Sequence, residues 1–269
     1  MPSATPRFFY FHASANALGG SLKTPHNKVV PSQASSSLPA VGGHATSRTE
    51  AFNCDEIVSC RTAYTRVSGT QVEEDGSWAT LVTSVVENLN ILDAVKAERI
   101  VSQISIEHPA DGGSPKFSLA GSHFDGLRLG GRDVTVPLHP ALLGVGSGDG
   151  ITWPIFQQTG FDQAVKMVQK ANTGKNTQWV QDRFKWMTAK PKGDATVLCS
   201  LVDEITQPVP GRIFGHVLEL PHFGKILLGE LLVSPSSIHL TMIRAELGCA
   251  TTGNVGVAMA HGAGGTYPP

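Results

Sequence analysis

Apolar and polar residues alternate with a period of two along most of this chain. Val134, Val136 and Leu138 alternate with Asp133, Thr135 and Pro137, and Ile238, Leu240 and Met242 alternate with His239, Thr241 and Ile243. Successive side chains on a strand point to opposite faces, so this spacing predicts strands with one face on a core. RTAYTRVSG and WATLVTSVV are rich in Thr, Val and aromatic residues and flank EEDGS, whose Asp-Gly step predicts a hairpin turn. PKFSLAGSHFDGLRLGGRDVTVPL reads as three short strands punctuated by glycines. After Ala195, the segments ATVLCSLV, GRIFGHVLELP, GKILLGELLV and SIHLTMIRAEL predict further strands.

One stretch fits two periods. In VVENLNILDAVKAERIVSQISIEH (Val85–His108), a helix would line up Val86, Leu89, Leu92 and Ile100, with Lys96 and Arg99 breaking the stripe. Its β-branched ends, IVSQISI above all, make a poor helix and a good strand. The reading is strand, corner, strand, with LDAVKAER as the corner or a single helical turn. Helical spacing holds only farther on. FDQAVKMVQKA places Phe161, Ala164, Val165 and Val168 on one face, and TQWVQDRFKWM predicts a second helix.

These elements predict a mainly-β fold, a sandwich or stacked β units, with one helical insertion near residues 160–187. Residues 1–36 are expected to form an extended N-terminal arm. Residues 37–269 form a single mainly-β domain interrupted by a helical insert, 151–195, behind the Gly-rich loop GVGSGDG. Three similar units centred on Phe52, Leu89 and Phe124 point toward stacking.

Composition narrows the function classes. The chain has 269 residues, enough for a large core, and 29 Gly and 17 Pro favour turns. Net charge is −1 and the basic residues are scattered, so no nucleic-acid footprint is present. No stretch of about 18 apolar residues predicts a spanning helix, and FFYF is followed too closely by His12 and Asn16 to make a secretory signal. Without a signal, the chain is expected to be cytoplasmic or exported by a non-standard route. Cys54, Cys60, Cys199 and Cys249 are expected as small buried apolar residues; Cys54/Cys60 and Cys199/Cys249 are the pairings left open.

Specific chemistry is sparse. His123 and Asp125 would share a strand face, and His216 and His222 stand six apart; these four are the weak metal candidates, short of the converging set that zinc needs. AHGAGG at His261 resembles the Gly-rich oxyanion loop of esterases, and Ser122 beside His123 is a conceivable nucleophile, yet no GxSxG elbow is present. Trp179, Arg183 and Trp186 fall on one helical face and form the candidate partner-docking cluster. No cofactor is implied.

SLPAVGG, ATSRTEAF, EIVSCRTAYTRVSG, VTSVVENLNILDAVKAERIVSQ and GSHFDGLRLGGRDVTVPL, followed by LELPHFGKILLGE, SIHLTMIRAEL and GNVGVAMAHGAG, stand in an order that resembles the choice-of-anchor P family of bacterial β-rich surface proteins. The resemblance covers residues about 37–139 and 216–264. It implies an extracellular β-rich protein and brings no catalytic residues. The helical insert and the lack of a visible anchor depart from that pattern. The expected role is therefore non-catalytic: a structural or interaction protein acting through self-association or partner docking, at a bacterial surface or in an assembly. The alternative is a hydrolase-like or carbohydrate-acting enzyme using the histidines.

Overall fold

The computed structural model describes residues 8–25, 27–143, 196–202, 205, 208–248 and 250–267. In chain order, β1 (Phe8–Leu22) and β2 (Lys28–Ser37) are followed by β3 (Gly43–Cys54), β4 (Val58–Gln71), β5 (Trp78–Ile91) and β6 (Val95–His108). Four short strands come next: β7 (Lys116–Ser118), β8 (His123–Asp125), β9 (Arg128–Leu129) and β10 (Arg132–Asp133), then one helical turn at Pro140–Leu143. The chain closes with β11 (Val197–Ser200), β12 (Arg212–Phe214), β13 (Val217–Leu220), β14 (Gly224–Val233), β15 (Ser237–Gly248) and β16 (Thr252–Tyr267).

These strands form two antiparallel sheets. The first runs β12-β13-β14-β15-β16-β1-β2, with β11 also on β14; the second runs β10-β9-β6-β5-β4-β3, with β7 and β8 also on β6. The sheets pack face to face as a sandwich, β1 and β16 lying over β4, β5 and β6. The core is one cluster drawn from both inner faces, with Leu18, Val82, Ile104, Ile226, Leu240 and Val257 fully enclosed. The stretch that fitted two periods is a hairpin: β5 and β6 pair from Trp78↔His108 to Ile91↔Val95. Its corner is tight because Leu92 and Asp93 both adopt positive φ (49° and 53°), the geometry of a type I′ turn, and the Asp93 N–H donates to Asn90 Oδ1 at 3.0 Å.

Long strands would give a flat sheet unless something bent them. In each sheet the residues that point inward change parity along one transverse line. On β5, Val82, Ser84 and Val86 face in, then Leu89 and Ile91; Asn88 sits between them at φ 49°. The line continues to Ala51 (φ 47°) on β3. In the first sheet it passes through Ala258 (φ 50°) on β16 and Gly229 (φ 59°) on β14. A left-handed residue inside a strand costs non-glycine residues about 1–2 kcal/mol. What it provides is a bend that keeps both halves of a 14- or 16-residue strand on the same core.

The two sheets meet at their ends without a continuous ladder. β2 and β3 are bridged by side chains, the Ala34 N–H donating to Thr49 Oγ1 at 3.1 Å and Lys28 Nζ pairing with Asp55 at 2.9 Å. At the opposite end Leu138 bridges Val202, and the His139 N–H donates to the Leu201 carbonyl at 2.8 Å.

Two expectations change. Phe8–Ser37 is not an arm set apart from the domain: it supplies two strands of the first sheet, and Ala13, Ala15, Ala17, Leu18 and Leu22 lie in the core. Its small residues read as a loose segment because a strand packed tightly under another sheet has little room for large ones. The units centred on Phe52, Leu89 and Phe124 are successive pieces of one sheet, joined β3-β4, β5-β6 and β6-β8, and not stacked repeats. The helical insert 151–195 and the loop Gly144–Gly150 lie outside the described residues.

Gly20 tests the pairing of β1 with β16. A Cβ there would press on the Asn254 carbonyl oxygen and the Val255 Cα of β16, both backbone atoms. Gly20→Val is expected to cost about 1–3 kcal/mol of unfolding free energy in a urea titration.

Candidate functional site

Alternation on β1 sends Phe9, Phe11, Ala13 and Ala15 inward and Phe8, Tyr10, His12 and Ser14 outward. Each set builds a distinct feature. Inside, Phe9 stacks on Trp78 with ring centroids 4.9 Å apart and 10° between planes, and meets Phe11 (4.7 Å) and His108 (4.8 Å) edge-on. Trp78 and His108 face each other as the first residue of β5 and the last of β6. Together they plug one end of the sandwich. Beside the plug, Phe9, Phe11, Trp78, Arg66, Gln71 and His44 line an open cleft of about 570 Å³.

His108 is 7% exposed, and neither ring nitrogen makes a hydrogen bond of ordinary geometry. Burial pushes its pKa down to about 4, against a weaker upward pull from the Gly264 backbone. The imidazole therefore serves as a neutral packing group at physiological pH.

Outside, the register aligns three histidines on three neighbouring strands. His239 on β15 is directly opposite His261 on β16, which is opposite Ser14 on β1. The His239 and His261 rings stack at 3.8 Å with 18° between planes, and His12 meets His261 edge-on at 4.9 Å. Above this ladder on β1, Phe8 is 63% and Tyr10 53% exposed, and Leu232 flanks His239 on β14. β1 and β16 contain no Asp, Glu, Lys or Arg along their whole length. The outer face of the second sheet differs: Arg61 pairs with Glu87 at 3.4 Å, and the Arg99 guanidinium donates to Tyr64 Oη at 3.0 Å.

The residues singled out from sequence are only partly gathered. His123 Nε2 lies 3.3 Å from Asp125 Oδ2, both exposed on β8, and His123 Nδ1 contacts the Gly121 carbonyl at 2.7 Å. Ser122 is buried and fully engaged, accepting from the Gln103 N–H at 2.9 Å and donating to the Gln103 carbonyl at 3.1 Å, so it is no nucleophile for His123. His216 is buried at the β12–β13 turn, and His222 lies on the β13–β14 turn with φ 59°. Both lie on turns of the first sheet, whereas His123 is on β8 of the second. Among the described residues, no group of three or more His, Cys, Asp or Glu side chains is placed to hold a metal ion. AHGAGG is a paired stretch of β16 and not an oxyanion loop. Trp179, Arg183 and Trp186 lie outside the described residues, as does Cys249; Cys54, Cys60 and Cys199 are buried free thiols.

Sequence reading missed the ladder and the plug. Their signals were the charge-free first and last strands, and the alternation of FFYFH read as two faces instead of one apolar run. No helix of the described residues is long and apolar enough to cross a membrane.

A family model described as a domain of unknown function, DUF8256, matches residues 9–234. The chain belongs to this DUF8256 family. No curated protein and no solved structure matches it. The DUF8256 match stops at Ser234, before β15 and β16, yet those two strands sit between β14 and β1. Without them the first sheet would fall into two pieces, so in this DUF8256 chain the folding unit extends through β16.

His108 gives a pH dependence with a definite sign. Its folded pKa lies below the ordinary histidine value of 6.5, so the unfolded chain binds the proton more readily. The stability is fully present above about 6.5 and is lost as pH falls toward about 4. His108→Phe is expected to flatten the decline in unfolding free energy between these values, measured by denaturant titration at a series of pH values.

Proposed function

We propose that the protein is a non-catalytic, β-rich interaction module that docks through the outer face of β1 and β16, its occupant a second copy of the chain. The single observation that carries this reading is the stripe of exposed Phe8, Tyr10 and His12, with half-buried His261 beside it, on two strands without a formal charge. Exposed aromatic residues on an uncharged surface are the usual anchors of protein contacts. Two such faces can meet about a twofold axis with no like-charge repulsion and no ion to desolvate. The charge-laced outer face of the second sheet lacks those properties. The choice-of-anchor P resemblance is in keeping with a surface or assembly role. Under this reading the His123–Asp125 pair is an exposed contact of the kind worth about 0–1 kcal/mol.

The test is the concentration dependence of the native mass, by sedimentation or light scattering. The wild-type chain is expected to dimerise, and Phe8→Ser with Tyr10→Ser to weaken the dimer roughly tenfold or more, a loss of at least ~1.4 kcal/mol. A chain that stays monomeric at all concentrations, or a variant that dimerises as well as wild type, contradicts the proposal.

A further inference from the structure

The His12–His261–His239 ladder lies within the docking face proposed above, and the inference drawn from it rests on that reading. We infer that the ladder makes this face acid-sensitive: neutral imidazoles pack on one another, and protonation drives the rings apart and releases the partner copy.

The geometry leaves little choice about what the imidazoles feel. Strand register fixes His239 opposite His261, and the rings are stacked at 3.8 Å. A charged imidazole in that stack faces another imidazole instead of a carboxylate. His12 closes the group from β1 at 4.9 Å. Along the face, the neighbours are Ser14 and Tyr10 on β1, Met259 and Ala263 on β16, Ser237 and Thr241 on β15, Leu232 on β14 and Ser37 on β2. Among the described residues, Glu230 on β14 lies opposite Thr241, diagonal to His239, and pairs with Arg244 on β15, Nε to Oε2 at 2.9 Å. The second sheet packs on the opposite side of these strands and contributes no charge. Among the described residues, the carboxylate beside the ladder, Glu230, is thus held by Arg244, and the ladder rings face one another.

The electrostatics point the same way. Burial first, and then the charges of His239 and His12, push His261 down to about 4; burial and then His12 lower His239. Groups with folded pKa values below 6.5 are neutral at pH 7 and take up protons only as the pH falls from about 6.5 toward about 4. Each proton added makes the next less favourable, because the rings share one environment.

The experiment has two readouts on the full chain. NMR titration of the imidazole protons is expected to place His261 below the ordinary histidine midpoint, and His239→Gln to move it back up. Ordinary midpoints for His239 and His261, indifferent to removal of a neighbour, overturn the inference. The dimer dissociation constant is expected to rise roughly tenfold or more between about pH 7.5 and about pH 4 in the wild type, and to stay flat in His12→Gln/His239→Gln/His261→Gln. A triple variant as acid-sensitive as the wild type overturns the inference. A chain monomeric at every pH whose His261 midpoint still depends on His239 overturns the docking reading alone, since the coupling within the ladder is then intact.

Discussion

The first sheet depends on the antiparallel pairing of the first strand with the last. β1 and β16 join from Phe8↔Tyr267 to Leu22↔Gly253, and their inner faces form the layer laid across β4, β5 and β6. β16 also holds β15, so through it the β11–β14 half of the chain is fastened to β1 and β2. Contacts between residues this far apart in sequence require most of the chain to be ordered first, and the loop-closure entropy grows only slowly with the length enclosed. The closure is thus expensive in organisation but tolerant of what lies between, including the long segment ahead of β11. Small residues make it possible: Gly20, Gly253 and Gly262 sit where a Cβ would strike the neighbouring strand or Ile106 of the opposite sheet.

Much of this was legible in the residues. The β5–β6 hairpin follows from β-branched runs on either side of Asn90–Asp93, and the strands around Val82 and Leu240 follow from strict alternation. Two things hid the rest. Alternation resets where Asn88, Ala258 and Gly229 take left-handed backbone, so a period-two pattern that is unbroken in the fold looks interrupted in the sequence. The first strand is built of Ala, Ser and Gly because it packs closely, and such a composition resembles a flexible lead-in. The histidine ladder was illegible for a further reason: His12, His239 and His261 are brought together by cross-strand register, and nothing in their spacing along the chain records which residues will be opposite.

The same closure that organises the core also makes the surface proposed as functional. Inward, β1 delivers Phe9 and Phe11 to the plug with Trp78 and His108; outward, the alternate residues deliver Phe8, Tyr10 and His12 to the uncharged face. A change that loosened β1 from β16 would disturb the plug and the face together. Burial depresses His108 and, with the charges of His239 and His12 added, His261; both residues sit on or beside this strand pair. Acid is therefore expected to act on the interior and the exterior of this part of the molecule within one pH range.

Native-state amide hydrogen exchange tests the central role of that strand pair most directly. If β1 and β16 hold the fold together, the amides of Ala13–Ala17 and Val255–Ala260 exchange only through the opening that unfolds the whole molecule, at the same free energy as the core of β4–β6. Exchange of β16 through a separate, lower-energy opening, with β4–β6 still protected, would contradict the account.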